Sequence, residues 1–97
     1  MYKLLVTKDF DENYIKVTKA NRNTQKKVQK AILLLKQNPF YPSLKTHKVT
    51  SKNYGEKWSS WATGDIRIIW NFDTKQQLTI LLLTIGKLLL TSLLIQG

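Results

Sequence analysis

The spacing of apolar residues changes in the middle of the chain, between residues 37 and 56. In the segment 28–35 they recur at intervals of three and four, as in a helix with one buried face. In the segment 66–70 large apolar residues fall at every second position, as in a strand. The residues concerned are Val28, Ile32 and Leu35, then Ile66, Ile68 and Trp70. A chain that is helical first and extended afterwards is typical of the α+β class.

The first twenty residues predict a strand followed by a helix. Residues 2–7 are mainly apolar and end on β-branched side chains, which favours a strand. Negative charge is favourable at the first turn of a helix, and three acids follow the strand. These acids are Asp9, Asp11 and Glu12. Phe10, Tyr14 and either Val17 or Ile15 then supply an apolar stripe.

The second helix has signals at both ends. Asn21 or Asn23 is suited to accept a hydrogen bond from the free N–H groups of its first turn. The pair Asn38–Pro39 ends it, because proline has no amide hydrogen for a helical bond. Its apolar stripe is expected to be widened by Ala31, Leu33 and Leu34.

Three further strands are predicted after an irregular stretch at residues 43–55. They cover residues 56–62, 65–72 and 78–85, with turns between them. The order β-α-α-β-β-β predicts two helices packed on one face of a largely antiparallel sheet. Ninety-seven residues are enough for one such core, so we expect a single domain over residues 1–97.

Charge is distributed very unevenly. Sixteen lysines and arginines against six acids give a formal net charge of +10. Ten of the basic residues lie between residues 13 and 55, where there is no acid: Lys16, Lys19, Arg22, Lys26, Lys27, Lys30, Lys36, Lys45, Lys48 and Lys52. A field of one sign attracts nucleic acid, anionic lipid or an acidic protein, and we expect RNA. The alternative is a solvated surface that serves solubility.

Composition argues against several kinds of site. The absence of cysteine removes disulfides, thiolate metal sites and thiol nucleophiles. One histidine and six scattered acids are too few for a structural zinc or calcium site. We therefore expect no metal and no cofactor. The first eight residues are too short and too interrupted for a secretory signal, which favours a cytoplasmic protein.

Residues 78–95 form a long apolar run that contains Gly86, Lys87, three threonines and a serine. Its length is that of a marginal transmembrane segment. A lysine near the centre would cost about 2.5–3.5 kcal/mol on insertion, and a buried strand explains the first half. We therefore expect no stable membrane association.

Four short motifs follow one another in the chain. They are LKQNP at 35–39, LKTHKV at 44–49, GDIRIIW at 64–70 and LTIG at 83–86. With the β-α-α-β-β-β order, they resemble the successive motifs of the RelE/ParE toxin superfamily. In that family a helix ends at Asn-Pro, a segment similar to Leu-Lys-x-His-Lys-Leu leads to the sheet, and a strand similar to Gly-x-x-Arg-Ile-Ile-Tyr forms its centre. The resemblance covers residues 1–86.

The resemblance implies the toxin of a bacterial type II toxin–antitoxin pair, neutralised by an acidic antitoxin. Many members cut messenger RNA on the ribosome without a metal, whereas the ParE branch poisons DNA gyrase. The histidine-containing segment is closest to the YafQ/RelE branch of mRNA interferases. We therefore expect a metal-free endoribonuclease that stops translation. The alternatives are a catalytically impaired homologue that binds only antitoxin or RNA, and a ParE-like gyrase inhibitor.

The candidate catalytic residues are His47, Asp65 and Arg67. Metal-free RNA cleavage needs a base for the 2′-hydroxyl and positive donors around the phosphate. His47 is the one histidine, and histidine changes charge near neutral pH. Strand alternation places Arg67 on the face that binds RNA in the family, and Asp65 matches an acid of the YafQ-like branch. The plainer alternatives are a packing histidine, a solvent-facing arginine and a turn aspartate.

Several other side chains are candidates for RNA contact. The expected phosphate-binding residues are Lys45, Lys48, Lys52, Lys57 and Lys87. Trp58, Trp61 and Trp70 are candidates for stacking on bases, although tryptophan on a sheet more often belongs to the core. Trp61 stands approximately where some relatives carry a second histidine.

The resemblance stops after Gly86. Relatives continue with a short polar stretch that carries His or Arg and ends in an aromatic residue. Here Lys87 is followed by an apolar tail without His, Arg or aromatic residues, which favours a shifted reading frame or an inactivating replacement. Comparing the other reading frames of the coding DNA would test this interpretation. The segment Leu88–Ile95 is suited to add a strand, to cover a groove or to mediate self-association.

Overall fold

A computed structural model describes residues 1–87 and 94–96 of the chain. These residues form the strands β1 (Lys3–Val6), β2 (His47–Ser51), β3 (Gly55–Trp61), β4 (Ile66–Phe72), β5 (Thr79–Lys87) and β6 (Leu94–Gln96). The helices are α1 (Lys8–Thr18) and α2 (Arg22–Gln37), and a 3-10 turn follows at Pro42–Leu44. The predicted order β-α-α-β-β-β is confirmed, with β2 and β6 in addition.

Both helices begin at a side-chain cap. The Thr7 hydroxyl accepts a hydrogen bond from the Phe10 N–H at 3.1 Å. The Asn21 side-chain oxygen accepts a hydrogen bond from the Thr24 N–H at 3.0 Å. Of the two predicted cap residues, Asn21 and Asn23, the cap is therefore Asn21. Each cap pairs an N–H group that the first helical turn leaves without a partner. The second helix ends before Pro39, as predicted.

Leu33 departs from the predicted apolar stripe of α2. Its side chain is 60% exposed, whereas Val28 and Leu35 are fully buried. Two positions along an α-helix correspond to a rotation of about 200°. Leu33 is therefore turned away from the face on which Leu35 packs.

The strand order in the sheet is β1-β5-β4-β3-β2-β6. β1 runs parallel to β5, and the other described pairs are antiparallel. β6 pairs with β2 through Thr50 and Gln96, so part of the apolar tail adds a strand to the sheet. The rest of that tail, residues 88–93 and 97, lies outside the described residues.

β2 corrects the prediction of an irregular stretch at residues 43–55. It pairs with β3 over five residues, from His47 opposite Ser59 to Ser51 opposite Gly55. Its sequence, HKVTS, contains one large apolar residue, Val49. A strand with so little apolar alternation is stabilised by its pairing with a neighbour, and its own sequence gives a weak signal.

The core lies between the two helices and the sheet. α1 and α2 contribute Phe10, Val28, Ala31 and Leu35, and the turn after them contributes Leu44. β4 and β5 contribute Ile66, Ile68, Trp70, Ile80, Leu82 and Ile85. β4 thus turns its alternate residues toward the helices, as predicted, and Arg67 and Ile69 point to the other face.

The apolar run at 78–95 is extended over the part that belongs to β5. Within residues 1–87 and 94–96, neither helix has the length and hydrophobicity needed to cross a membrane.

A chain of hydrogen bonds connects the core to the loop after α2. Trp70 Nε1–H donates to Ser60 Oγ at 2.8 Å, and the Thr46 hydroxyl donates to the Pro39 carbonyl at 2.6 Å. Ser60 and Thr46 are also joined, at 2.6 Å. Because the Thr46 hydrogen is already used, Ser60 must donate in that contact. The neighbouring Ser59 hydroxyl is equally buried but has no hydrogen-bond partner within the described part of the chain.

Ser60→Ala is expected to lower the free energy of unfolding by about 1–3 kcal/mol, because it leaves Trp70 Nε1 without an acceptor in the core. Ser59→Ala should be neutral or stabilising, since it removes an unpaired hydroxyl from the interior. Urea unfolding of the two variants, which differ by one position, measures the contrast. An equal loss in both would contradict the hydrogen-bond chain.

The β2–β3 turn is tied to the first turn of α1. The Tyr54 hydroxyl donates to Asp9 Oδ2 at 2.7 Å. Asn13 donates to Asp9 Oδ1 at 3.2 Å and to Thr84 Oγ1 on β5 at 3.3 Å. The hydrogen bond to Asp9 raises the pKa of Tyr54 to about 12, with smaller contributions from burial and from the carboxylate charge.

Tyr54→Phe is expected to weaken the loss of stability at high pH. The pKa of Tyr54 is about 12 in the folded protein against 10.0 for an ordinary tyrosine, so folding favours the protonated hydroxyl. This stabilisation is complete below a pH of about 10 and is lost as the pH rises through about 12. At neutral pH the variant should lose only about 1 kcal/mol, because the bond is partly exposed to solvent. Thermal unfolding of both proteins across this pH range tests the prediction, and parallel curves would contradict it.

Candidate functional site

Four strand ends meet at one end of the sheet. β2 and β4 begin there, and β3 and β5 end there, because neighbouring strands are antiparallel. His47 lies opposite Ser59, and Arg67 lies opposite Trp61. Ser59 and Trp61 are two residues apart on β3, so all four side chains point to the same face, away from the helices. The predicted candidates His47 and Arg67 therefore share one face of the sheet.

Trp61 is the centre of this group. The guanidinium carbon of Arg67 lies 4.0 Å from the centroid of its indole ring. The Nζ atom of Lys45 lies 5.4 Å from the same ring. Such cation–π contacts stabilise by about 0.5–2 kcal/mol each. Two positive charges are thereby held at one half-buried aromatic side chain.

Arg67 is held in place by the turn before β4. It is only 7% exposed, and its Nη1 donates to the carbonyl oxygens of Thr63, Gly64 and Ile66 at 3.0, 3.2 and 3.4 Å. Burial lowers the pKa of the Arg67 guanidinium, and the nearby Asp65 carboxylate opposes that effect. Among residues 1–87 and 94–96, Nε and Nη2 of Arg67 make no hydrogen bond, so they are the donors that remain for a ligand.

Asp65 lies in the same turn and is exposed. Its Oδ1 accepts a hydrogen bond from the Thr63 hydroxyl at 2.8 Å. The Thr63 oxygen in turn accepts from the backbone N–H groups of Asp65 and Ile66. These bonds are those of a turn residue, the plainer of the two predicted roles. Its catalytic role stays a prediction.

His47 is the first residue of β2 and is partly buried. Its Nδ1 lies 2.9 Å from the backbone carbonyl oxygen of Lys45. It is not a member of the core cluster between helices and sheet. The ring therefore lies outside the core, on the face that Trp61 and Arg67 share.

The predicted phosphate-binding lysines do not form one group. Lys45 lies over Trp61, and Lys57 alternates with Ser59 and Trp61 along β3, so both lie on the face of His47. Lys87 is exposed at the end of β5, but it lies opposite Ile66 and therefore points to the helix side of the sheet. Lys45 and Lys57 thus remain on the face of the candidate site.

Lys48 and Lys52 are separated from His47. Lys48 points to the helix side of the sheet, where its Nζ lies 4.9 Å from the Trp58 ring. Lys52 lies in the β2–β3 turn, at the other end of β2. Trp58 and Trp70 stack on each other at 5.9 Å on the helix side, which leaves Trp61 as the tryptophan of the candidate site.

A groove of about 200 Å³ lies beside Trp61, between α2 and the 3-10 turn. Lys27 and Lys30 lie at its rim, and Ala31 and Leu34 contribute to its apolar lining. Neither lysine is among the predicted phosphate ligands. The sequence signal was the basic face of α2, and only the packing of α2 shows that this face adjoins Trp61. Two further lysines thus line a groove in which Trp61 also takes part.

No cluster of three or more His, Asp or Glu side chains within residues 1–87 and 94–96 is placed to hold a metal ion. The side chains assembled at the strand ends are instead a histidine, an indole ring, an arginine and lysines. This set can take up a proton, stack on a planar group and attract a phosphate.

The sequence matches no protein-family model and no curated protein sequence. Solved structures of similar shape are known. A YoeB/ParE toxin from Agrobacterium tumefaciens superposes with a TM-score of 0.69 at 16% identity, over 88% of this chain and 96% of that chain. YafQ from E. coli superposes with a TM-score of 0.67 at 15% identity, over 90% of this chain and 93% of that chain. A chain of a YoeB–YefM toxin–antitoxin complex from Staphylococcus aureus superposes with a TM-score of 0.64 at 15% identity, over 87% of this chain and 93% of that chain.

At these identities the similarity concerns the fold. It extends over nearly the whole of each compared chain, and it agrees with the family indicated by the four sequence motifs. The protein has the fold that is shared by the compared YoeB/ParE toxin and YafQ.

Proposed function

We propose that the protein is the toxin of a type II toxin–antitoxin system and acts in the cytoplasm as a metal-free endoribonuclease. Its substrate is messenger RNA on the ribosome, and cleavage stops translation. The observation that carries this proposal is the sheet face that His47, Trp61, Arg67 and Lys45 share within a toxin fold. It combines a proton acceptor with positive charge and an aromatic surface.

The reaction is an in-line displacement at phosphorus. The 2′-hydroxyl of a ribose loses its proton to His47, and its oxygen forms a bond to the adjacent phosphorus. The bond from phosphorus to the 5′-oxygen of the next nucleotide breaks. The products are a 2′,3′-cyclic phosphate and a 5′-hydroxyl end. His47 then carries the proton taken from the 2′-hydroxyl.

Positive charge stabilises the extra negative charge of the transition state. Arg67 supplies it through Nε and Nη2, while its Nη1 stays bonded to the turn. Lys45 adds positive charge beside Trp61, and Lys57, farther along β3 on the same face, contributes to binding of the RNA backbone. Trp61, with cations already near its ring, offers a surface on which a base can stack. Asp65 is proposed as an auxiliary carboxylate, which its exposed position allows.

The leaving 5′-oxygen needs a proton. The chain contains one histidine and no cysteine, and His47 is assigned as the base. A lysine such as Lys87 is a poor acid at neutral pH. We therefore assign this proton to solvent water, which predicts slower turnover than an enzyme with a positioned acid would reach.

An acidic antitoxin is the proposed protein partner. The chain carries a net charge of +10, so a polyanionic partner is attracted over a long range. The compared YoeB from Staphylococcus aureus forms a complex with YefM, its antitoxin. An acidic segment bound over the basic surface would exclude RNA from it.

A reconstituted translation reaction tests the proposal. Purified protein is added to a defined messenger, and new 5′ ends are mapped. We expect cuts within the ribosomal decoding site and arrested synthesis, both absent with the His47→Ala protein. Intact messenger and continued translation, from protein shown to be folded, would overturn the nuclease assignment.

The altered tail after Gly86 favours one second candidate, a homologue that binds antitoxin or RNA without cutting. Binding of single-stranded RNA with no cleavage would identify it. Accumulation of gyrase-linked DNA breaks with translation intact would instead identify a ParE-like action.

A further inference from the structure

Lys45 has an unusual backbone conformation next to the candidate base. Its φ and ψ angles are 47° and 42°, in the left-handed region that side chains other than glycine rarely adopt. It follows the 3-10 turn, and its N–H donates to the Pro42 carbonyl oxygen at 3.2 Å. The conformation costs roughly 1–2 kcal/mol, so the surrounding structure must maintain it.

Thr46 provides that support from the next position. Its hydroxyl donates to the Pro39 carbonyl at 2.6 Å and accepts from Ser60 at 2.6 Å. Ser60 is fully buried on β3, and Pro39 is buried at the end of α2. The corner formed by Lys45, Thr46 and His47 is thus fixed to a helix end and to the central sheet.

The left-handed turn at Lys45 has a chemical consequence for His47. It brings the Lys45 carbonyl oxygen to 2.9 Å from His47 Nδ1. A carbonyl oxygen can only accept a hydrogen bond, so Nδ1 must carry the hydrogen. In a neutral imidazole the lone pair then resides on Nε2. The geometry selects one of two tautomers.

We propose that Lys45 is a positioning residue whose carbonyl fixes neutral His47 in the Nδ1–H tautomer, so that Nε2 is the atom that accepts a proton. The use of that atom on the RNA 2′-hydroxyl rests on the proposed function. The tautomer itself does not, and it is measurable in the protein without RNA. The backbone conformation of Lys45, rather than its ammonium group, is what the role requires.

The first test is ¹⁵N NMR of the imidazole. Because His47 is the one histidine of the chain, its two ring nitrogens are identified without a full assignment. At a pH at which the ring is neutral, we expect the hydrogen on Nδ1. Free histidine in water favours the opposite form, with the hydrogen on Nε2. A spectrum of that opposite form would overturn the proposal.

A matched pair of substitutions tests the origin of the effect. Lys45→Gly and Lys45→Val both remove the ammonium group, but glycine adopts the left-handed conformation readily and a β-branched residue does not. We expect the Nδ1–H tautomer to persist in the glycine variant and to be depleted in the valine variant. RNA cleavage should fall about tenfold further in the valine variant. Identical tautomers in the two folded variants would refute the role of the Lys45 backbone.

Two controls keep the outcomes distinct. Circular dichroism and thermal unfolding establish that each variant is folded. If Lys45→Val does not fold, the spectrum of the unmodified protein and that of Lys45→Gly still decide the tautomer. An Nδ1–H tautomer in a protein that cuts no RNA would sustain the geometric proposal and reject the proposed function.

Discussion

Replacing His47 by alanine is expected to reduce the rate of RNA cleavage by about 10²- to 10⁴-fold, the contribution of a positioned base. His47 is partly exposed at the start of β2 and lies outside the core cluster. The substitution should therefore leave the fold intact. The measurement is the single-turnover rate on ribosome-bound messenger, with saturating protein, so that a change in affinity does not enter.

Lys57→Ala is the matched control on the same sheet face. This substitution removes a positive charge but leaves the proton acceptor His47 in place. We expect weaker RNA binding and a weaker dependence of that binding on salt. The slope of log K, the logarithm of the RNA-binding constant, against log salt concentration should become smaller in magnitude by about 0.7, the value for one phosphate contact to a single strand. The saturated cleavage rate should change little. Undiminished cleavage by the His47→Ala protein would show that this histidine is not the base.

Trp70→Ala is expected to lower the free energy of unfolding by about 3–5 kcal/mol, and a small domain has only about 5–15 kcal/mol in total. The Trp70 side chain is fully buried. It stacks on Trp58 at 5.9 Å and meets Phe72 edge-on at 5.0 Å. Its Nε1–H bond to Ser60 connects the core to the corner that presents His47. Chemical unfolding followed by circular dichroism measures the change.

Trp70→Phe separates packing from hydrogen bonding. Phenylalanine keeps an aromatic ring in the core but removes the Nε1–H donor, so we expect a smaller loss, about 1–3 kcal/mol. Trp61→Phe changes the half-buried ring of the candidate site. It should lower the free energy of unfolding less than Trp70→Ala does, because the Trp61 ring lies outside the core cluster. Equal losses for Trp70→Ala and Trp61→Phe would contradict the assignment of Trp70 as the central core residue.

The helices and the strands β4 and β5 were predictable because their signals are local. The cap at Asn21, the end of α2 before Pro39 and the alternation of Ile66, Ile68 and Trp70 depend on neighbouring residues alone. The first helix and β5 follow the same reasoning, and the bounds of β5 are shifted by one and two residues. The family resemblance, carried by four motifs, predicted a fold that the compared toxin structures share.

β2 and the grouping of the candidate site were not predictable in the same way. The segment HKVTS forms a strand because β3 is available to pair with it. Once it is a strand, Lys48 must point to the helix side while His47 points to the other face. Lys45, two positions before His47, reaches Trp61 only through the left-handed turn in its backbone.

For Arg67, one property was predictable from the sequence and another was not. Alternation along β4 determined the face to which it points, and that prediction is confirmed by the core membership of its neighbours. Its burial and its three bonds to the turn at 63–66 arise from how that turn folds back over the strand. Which of its donors remain for a phosphate is therefore a property of the folded turn.

The sequence by itself determined the class of the fold, the order of the elements, the net positive charge and the face of β4 on which Arg67 lies. The apolar periodicity, the cap residue and the net charge depend on composition and short spacings, so they can be read from the sequence before the chain folds. Only the tertiary structure decided that Arg67 and Lys45 both lie at the Trp61 ring, that α2 brings Lys27 and Lys30 beside it, and that the Lys45 carbonyl oxygen lies 2.9 Å from His47 Nδ1. These facts depend on strand register and on one backbone angle, which are set when distant segments pack together.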